Sequence, residues 1–177
     1  MWFYLDLDGI DFHFRISKYR KSVQNIWDEQ WCKVDLTLQS ESWLNYQTSS
    51  EILLSCEVEQ LCNKLSDLLS NQLQSKEELE FIEPDLSFIL HPQKDLRLDP
   101  KYTYVAPGHE IVDISADICV HLWNGGLTAN YISLCFGRED IEAFCSYLKL
   151  ITNQFQIDDP SVKKLIDSDV IRINSLR

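Results

Sequence analysis

Ile114-Ser115-Ala116-Asp117-Ile118-Cys119-Val120-His121-Leu122-Trp123-Asn124-Gly125-Gly126 is the stretch on which the fold turns. Ile114, Ala116, Ile118, Val120 and Leu122 alternate with Ser115, Asp117, Cys119, His121 and Trp123, the period-two pattern of a half-buried strand. Asn124-Gly125-Gly126 then turns the chain, because Asn-Gly tolerates positive φ at both central positions of a tight hairpin. A return strand runs on to Phe136, and Gly137 breaks it. Arg138-Glu139-Asp140 opens a helix with acids near the positive end of its dipole. Ile141, Phe144, Cys145, Leu148 and Ile151 line one apolar stripe of that helix, which extends towards Phe155. A sheet covered by a helix follows from this unit, which holds no evident catalytic group.

Working outward, Phe3, Leu5 and Leu7 alternate with Trp2, Tyr4 and Asp6, and Phe12, Phe14 and Ile16 continue on a second strand after the turn Asp8-Gly9. Ser17 to Gln30 reads as a loop. Cys32, Val34, Leu36 and Leu38 alternate as a third strand. Trp43 to Gln47 pairs with it across Ser40-Glu41-Ser42, and Glu51 to Leu54 reads as a further short strand. Ser55 is the expected N-cap of a first helix whose stripe is Val58, Leu61, Cys62, Leu65, Leu68 and Leu69, ending near Gln74. Glu78 to Ile82 and Leu86 to Leu90 are two strands separated by Glu83-Pro84-Asp85. From His91 to Gly108 the periodicity disappears, and three prolines punctuate a long loop of the kind that is functional or mobile. Ser161 to Ser168 reads as one more short helix and Val170 to Ile173 as an edge strand. The expected fold class is α+β: a mainly antiparallel β-sheet, free to curve strongly, with two amphipathic helices packed on one face. Residues 1–155 form the expected single domain, and 156–177 a partly ordered C-terminal extension.

At 177 residues with 45% apolar content, the chain can bury a sizeable core. A net charge of −12 opposes direct binding to nucleic acid or an anionic membrane and favours a basic partner, or simply keeps the surface solvated. The N-terminus lacks the basic and small-residue features of a signal peptide, and no apolar run nears the ~20 residues that span a bilayer, so a cytoplasmic location is expected. Six cysteines occur without a Cys-x-x-Cys pair, and Cys62 and Cys145 lie on helix stripes as small apolar residues. No cofactor or metal is expected: the four histidines show no ligand spacing, and no phosphate loop is present.

Asp6-Leu7-Asp8-Gly9 after an apolar strand resembles the first motif of haloacid-dehalogenase-type phosphatases, which would make Asp6 and Asp8 the acids of a Mg²⁺-dependent hydrolase. That chemistry needs a helix next, whereas Asp11 to Ile16 alternates as a strand; the competing reading is a hairpin turn with acidic flanks. Trp31 and Trp123 fall on the polar registers of their strands. On an open face they would be binding anchors, and on a sheet covered on both faces they would be core.

The order Trp31-Cys32-Lys33-Val34-Asp35-Leu36, then Leu53-Leu54-Ser55-Cys56-Glu57-Val58, then Phe81-Ile82-Glu83-Pro84-Asp85-Leu86-Ser87-Phe88 resembles the WapI-type bacterial immunity proteins. Cys32 replaces their usual aliphatic residue, and Lys94 to Gly108 and the tail after Phe155 look like additions to the pattern. The resemblance implies a non-enzymatic cytoplasmic protein that binds and neutralises the toxic domain of a contact-delivered toxin, often a nuclease. A basic toxin would suit the acidic charge of this chain. Strand register selects Asp35, Asp113, Asp117 and His121 as candidate partner-binding groups, with Trp123 as apolar anchor. An acidic interaction module or homo-oligomer using the same face is the alternative.

Overall fold

The computed structural model describes residues 1–21, 30–123 and 126–173. Trp27, most of the expected loop after Ser17, and Asn124-Gly125 of the hairpin turn lie outside the described residues.

The chain begins with a hairpin of β1 (Trp2–Leu7) and β2 (Ile10–Ser17), closed by Asp8 at φ 52° and Gly9 at φ 86°. Both central turn residues are left-handed, as a two-residue hairpin requires. The Asp6 carboxylate accepts the Gly9 N–H at 2.7 Å, which fixes the turn from one side. β3 (Trp31–Ser40) and β4 (Leu44–Leu54) pair over their length, with a bulge at Cys32/Lys33. The two short strands expected around Tyr46 and Ile52 are therefore one long strand. It runs directly into α1 (Ser55–Leu69), so Ser55 is inside the helix and Leu54 is its cap. The Glu57 carboxylate reaches back to accept the Leu54 N–H at 2.7 Å and, with its other oxygen, the Ile82 N–H at 2.8 Å. A buried acid here satisfies one orphan donor of the helix start and one of the following loop.

After α1 come β5 (Glu77–Glu80), β6 (Leu86–His91), a ribbon of β7 (Lys94–Asp95) and β8 (Ile111–Val112), then β9 (Ser115–Trp123) and β10 (Leu127–Phe136). The stretch from His91 to Gly108 is not without structure: Leu96–Leu98 forms a 3₁₀ turn, and Arg97 is paired with Asp95, and Lys94 with Asp99. α2 (Arg138–Ile151) starts at Gly137, whose N–H is accepted by the Asp140 carboxylate at 3.0 Å. α3 (Pro160–Asp167), capped by Asp159, and β11 (Ile171–Arg172) complete the described chain.

The α+β class and the antiparallel pairing agree with expectation; the single curved sheet with two helices does not. Among the described residues there are three helices, a five-stranded sheet ordered β11-β1-β2-β3-β4, a four-stranded sheet ordered β10-β9-β6-β5, and the two-stranded ribbon. The reason lies at α1. Because β4 enters the helix without a turn, the chain is carried away from the first sheet before β5 forms, and β5 to β10 pair among themselves.

One apolar core joins both sheets and the helices. Phe144 of α2 is its centre, with ring centroids 5.2 Å from Phe3 and 5.4 Å from Phe14 of the first sheet, and 6.2 Å from Phe88 and 5.8 Å from Phe136 of the second. Offset and edge-on aromatic contacts at these separations add to the burial energy. Val162 of α3 and Ile171 of β11 belong to the same core. No helix among the described residues is long and apolar enough to cross a membrane.

Candidate functional site

β9 places its two registers on opposite sides. Ala116, Ile118 and Val120 are buried in the core, so Asp117, Cys119, His121 and Trp123 belong to the outer face. Pairing carries that face across the sheet: Tyr131, Ser133 and Cys135 of β10 stand opposite His121, Cys119 and Asp117. On the other side Ser87, Ile89 and His91 of β6 oppose Cys119, Asp117 and Ser115, and Glu78 and Glu80 of β5 extend the rows. Asp117 and His91 meet with Nε2 2.9 Å from Oδ2. The centre and β5 edge of the face are thus acidic.

The hairpin end of the face is aromatic. Trp123 is 47% exposed, Leu127 44% and Tyr131 56%, and the His121 and Tyr131 rings lie 5.5 Å apart. Beneath the Trp123 end of the strand lies the buried Asp85, whose carbonyl accepts the His121 N–H at 2.9 Å. Burial pushes the Asp85 carboxyl above its ordinary value against the pull of the neighbouring Trp123 and His121. The Tyr46 hydroxyl, reaching across from β4, donates to the His121 carbonyl at 3.4 Å. A half-buried aromatic ring with its other half open to solvent is suited to serve as an interface contact. Asp85, Tyr46 and Tyr131 were not singled out in the sequence. Their role arises from pairing between distant strands, and the one local signal was an acid placed directly after Pro84.

Three candidates, Asp117, His121 and Trp123, therefore share a face. The other two are elsewhere. Asp35 sits on the outer side of the first sheet and is 8% exposed. It accepts from Arg15 Nε at 2.7 Å and Ser49 Oγ at 2.5 Å, with Lys33 Nζ at 3.7 Å. Burial alone would raise its carboxyl, but the bonds from Ser49 and Arg15 and the adjoining cations hold it below the usual carboxylate range. Asp113 lies between β8 and β9, paired with the Arg138 guanidinium at 2.5–3.1 Å and accepting the Ile114 N–H at 2.8 Å. The Arg138 bond is the main reason its carboxyl is lowered.

The hairpin-turn reading of Asp6 and Asp8 is the one the fold agrees with. The residues form the β1–β2 turn, and β2 follows where that chemistry requires a helix. On the outer face of the second sheet, burial and then the Asp117 carboxylate push the Cys135 thiol up, away from nucleophilic thiolate. What the face presents is acidic side chains beside a half-exposed aromatic cluster.

The sequence model of the immunity protein WapI-like family matches residues 3–156. No curated protein gives a match to the chain.

Proposed function

Because this chain belongs to the WapI-like immunity protein family, we propose that it neutralises a basic toxin domain in the cytoplasm by binding it with the outer face of the second sheet. The observation that carries this reading is the pairing of opposite chemistries on one uncovered face. Trp123, Leu127 and Tyr131 supply apolar anchors at the hairpin end, and Asp117, Glu78 and Glu80 supply charge beside them. Aromatic anchors dominate interface energies, while charge complementarity sets association rate and partner choice. A net charge of −12 would attract a cationic domain, an effect that weakens as salt shortens the screening length. Asp35, on the first sheet, and Asp113, between β8 and β9 and paired with Arg138, are left out of this proposed surface because of where they lie.

The test is co-expression with any candidate toxin domain found in the adjacent reading frame. The wild-type chain is expected to restore growth and to bind the domain in a pull-down. Trp123→Ala should weaken binding by about 2 kcal/mol, roughly thirtyfold, as anchor residues do. Asp117→Lys should slow association and reduce its salt dependence. Binding unchanged in both variants would overturn the choice of face. Self-association through the same face, with no affinity for the neighbouring domain, would favour the homo-oligomeric module instead.

A further inference from the structure

A strand at the edge of a sheet leaves backbone N–H and C=O groups open on one side, and soluble proteins block such edges with charge, proline, bulges or brevity. The first sheet ends at β11 on one side and at β4 on the other; the second ends at β5 and β10. β11 and both strands of the β7–β8 ribbon are two residues long. β5 is Glu77-Leu79 flanked and filled by acids, Glu77, Glu78 and Glu80, so a second copy laid against it would set carboxylate against carboxylate. β10 has a register irregularity between Leu127 and Tyr131, which breaks its edge part-way along. Each of these edges carries a recognisable block.

β4 carries none. It is eleven residues long, and from Leu44 to Glu51 its pairing with β3 is unbroken, because the bulge at Cys32/Lys33 lies beyond that run. It contains no proline. Asn45-Tyr46-Gln47-Thr48-Ser49-Ser50 is free of charge, in a chain whose net charge is −12. Glu51, the one ionic residue of the strand, is held by Lys18 Nζ at 2.6 Å. Among the described residues the β4 ladder is made with β3 alone. Core burial also stops at this strand. Leu36 and Leu38 of β3 are fully buried, whereas Thr48 and Tyr46, which stand opposite them, are only half-buried. Asn45, Gln47 and Ser49, in the other register, are exposed.

We propose that β4 is a self-pairing edge: two copies of this chain join antiparallel through β4 about a twofold axis, so that two five-stranded sheets become one of ten strands. The sequence of the edge selects a second copy as the occupant. In a pair centred on Thr48, Gln47 faces Ser49 of the other copy, Tyr46 faces Ser50 and Asn45 faces Glu51. Facing residues then lie on the same side of the joined sheet, as an antiparallel ladder requires. No like charges meet in that register, and the two Glu51 carboxylates fall at opposite ends of the joint. Facing hydroxyl and amide side chains can hydrogen-bond across it. A basic strand from another protein would find no charge to pair with on this edge, whereas β5 would offer it three glutamates. The joint belongs to the first sheet and does not depend on the binding face assigned to the second.

Sedimentation equilibrium of the full chain over a range of concentrations tests it. The expected species has about twice the 20.7 kDa mass of one chain. As it forms, hydrogen exchange should slow roughly tenfold at amides between Asn45 and Ser50 and stay unchanged in β5. Gln47→Lys, on the exposed register, sets two lysines diagonally across the joint and should weaken self-association roughly tenfold. Its thermal unfolding, compared with wild type at a concentration where both are monomeric, shows that the fold is kept. A chain that sediments as a monomer at every concentration would overturn the proposal. So would a dimer whose β4 amides exchange as fast as those of the monomer, or one that a folded Gln47→Lys variant forms equally well. Protection of β4 that appears only when a toxin domain is added would overturn it in favour of strand addition by that domain.

Discussion

Replacing Tyr147 by Phe isolates one hydrogen bond in the shared core. Tyr147 is fully buried, and its hydroxyl accepts the Ile16 N–H at 2.9 Å. The β1–β2 pairing runs from Phe3–Phe14 to Leu7–Ile10, so Ile16 lies beyond it, and the phenol takes the place of a strand partner. Phe keeps the ring and its contacts with Phe3 at 5.3 Å and Phe144 at 6.3 Å. What is lost is the acceptor for a buried donor, which costs about 1–3 kcal/mol. For a chain of this size that lowers Tm by roughly 2–4 °C per kcal/mol, with the denaturant m-value unchanged. The effect has a pH signature. Burial raises the Tyr147 hydroxyl far above its ordinary value, while the unfolded chain releases that proton near pH 10. Its stabilisation is therefore complete below about pH 10 and falls above it by about 1.4 kcal/mol per pH unit, a slope that the Phe variant lacks. Tyr19 and Tyr46 are also raised, but they are common to both proteins and cancel in the comparison. Urea unfolding at pH 7 and at pH 11 should show a stability gap that narrows at the higher pH. Equal stability at pH 7, or a gap that stays constant at pH 11, would refute the assignment.

Glu57→Ala strands the buried Leu54 N–H and the part-buried Ile82 N–H and should lower stability by about 1–3 kcal/mol, read as a shift of the urea midpoint. Asp35→Ala leaves Arg15 without its acid in a largely buried setting; a loss of about 2 kcal/mol is expected in thermal unfolding, discounted because the Arg15 side chain is 31% exposed. That contribution is present above the ordinary aspartate range and fades as pH falls below about 4, so wild type and variant should converge in acid. Asp113→Ala breaks a pair whose acid is 54% exposed and should change stability by less than about 1 kcal/mol in the same assay.

The local elements were legible because their signals are local. The alternation from Ile114 to Trp123 placed a core side and an outer side on β9, and the stripe through Phe144 and Leu148 identified the buried side of α2. The short helix expected at Ser161 to Ser168 and the edge strand expected at Val170 to Ile173 are also present, but the helix starts at Pro160 with Asp159 as its cap, a start signal the sequence reading did not use. The division into two sheets was not, since nothing in Ile52-Leu53-Leu54 says that a strand passes straight into a helix. Asp85 illustrates the same limit at the candidate site: its carbonyl's bond to the His121 N–H depends on β6 pairing with β9, a choice made by the whole sheet. Glu57 stood in the family pattern as an acid opening a helix, but its second bond, to Ile82, joins two parts of that pattern that are far apart in sequence.

β11 has a consequence for where this protein can be cut. It contributes two residues, Ile171 opposite Phe3 and Arg172 opposite Trp2, and just before it the Val170 carbonyl accepts the Tyr4 N–H at 2.8 Å. The segment that matches the family ends at 156, yet those later residues satisfy the free side of the Trp2-Phe3-Tyr4 run and lay the Arg172 guanidinium 3.9 Å over the Tyr4 ring. A chain ended at residue 156 would keep the family segment and expose an unpaired aromatic strand edge, a template on which a second copy can add its own β1. Val170 to Arg172 thus cover a strand edge that would otherwise be open to pairing.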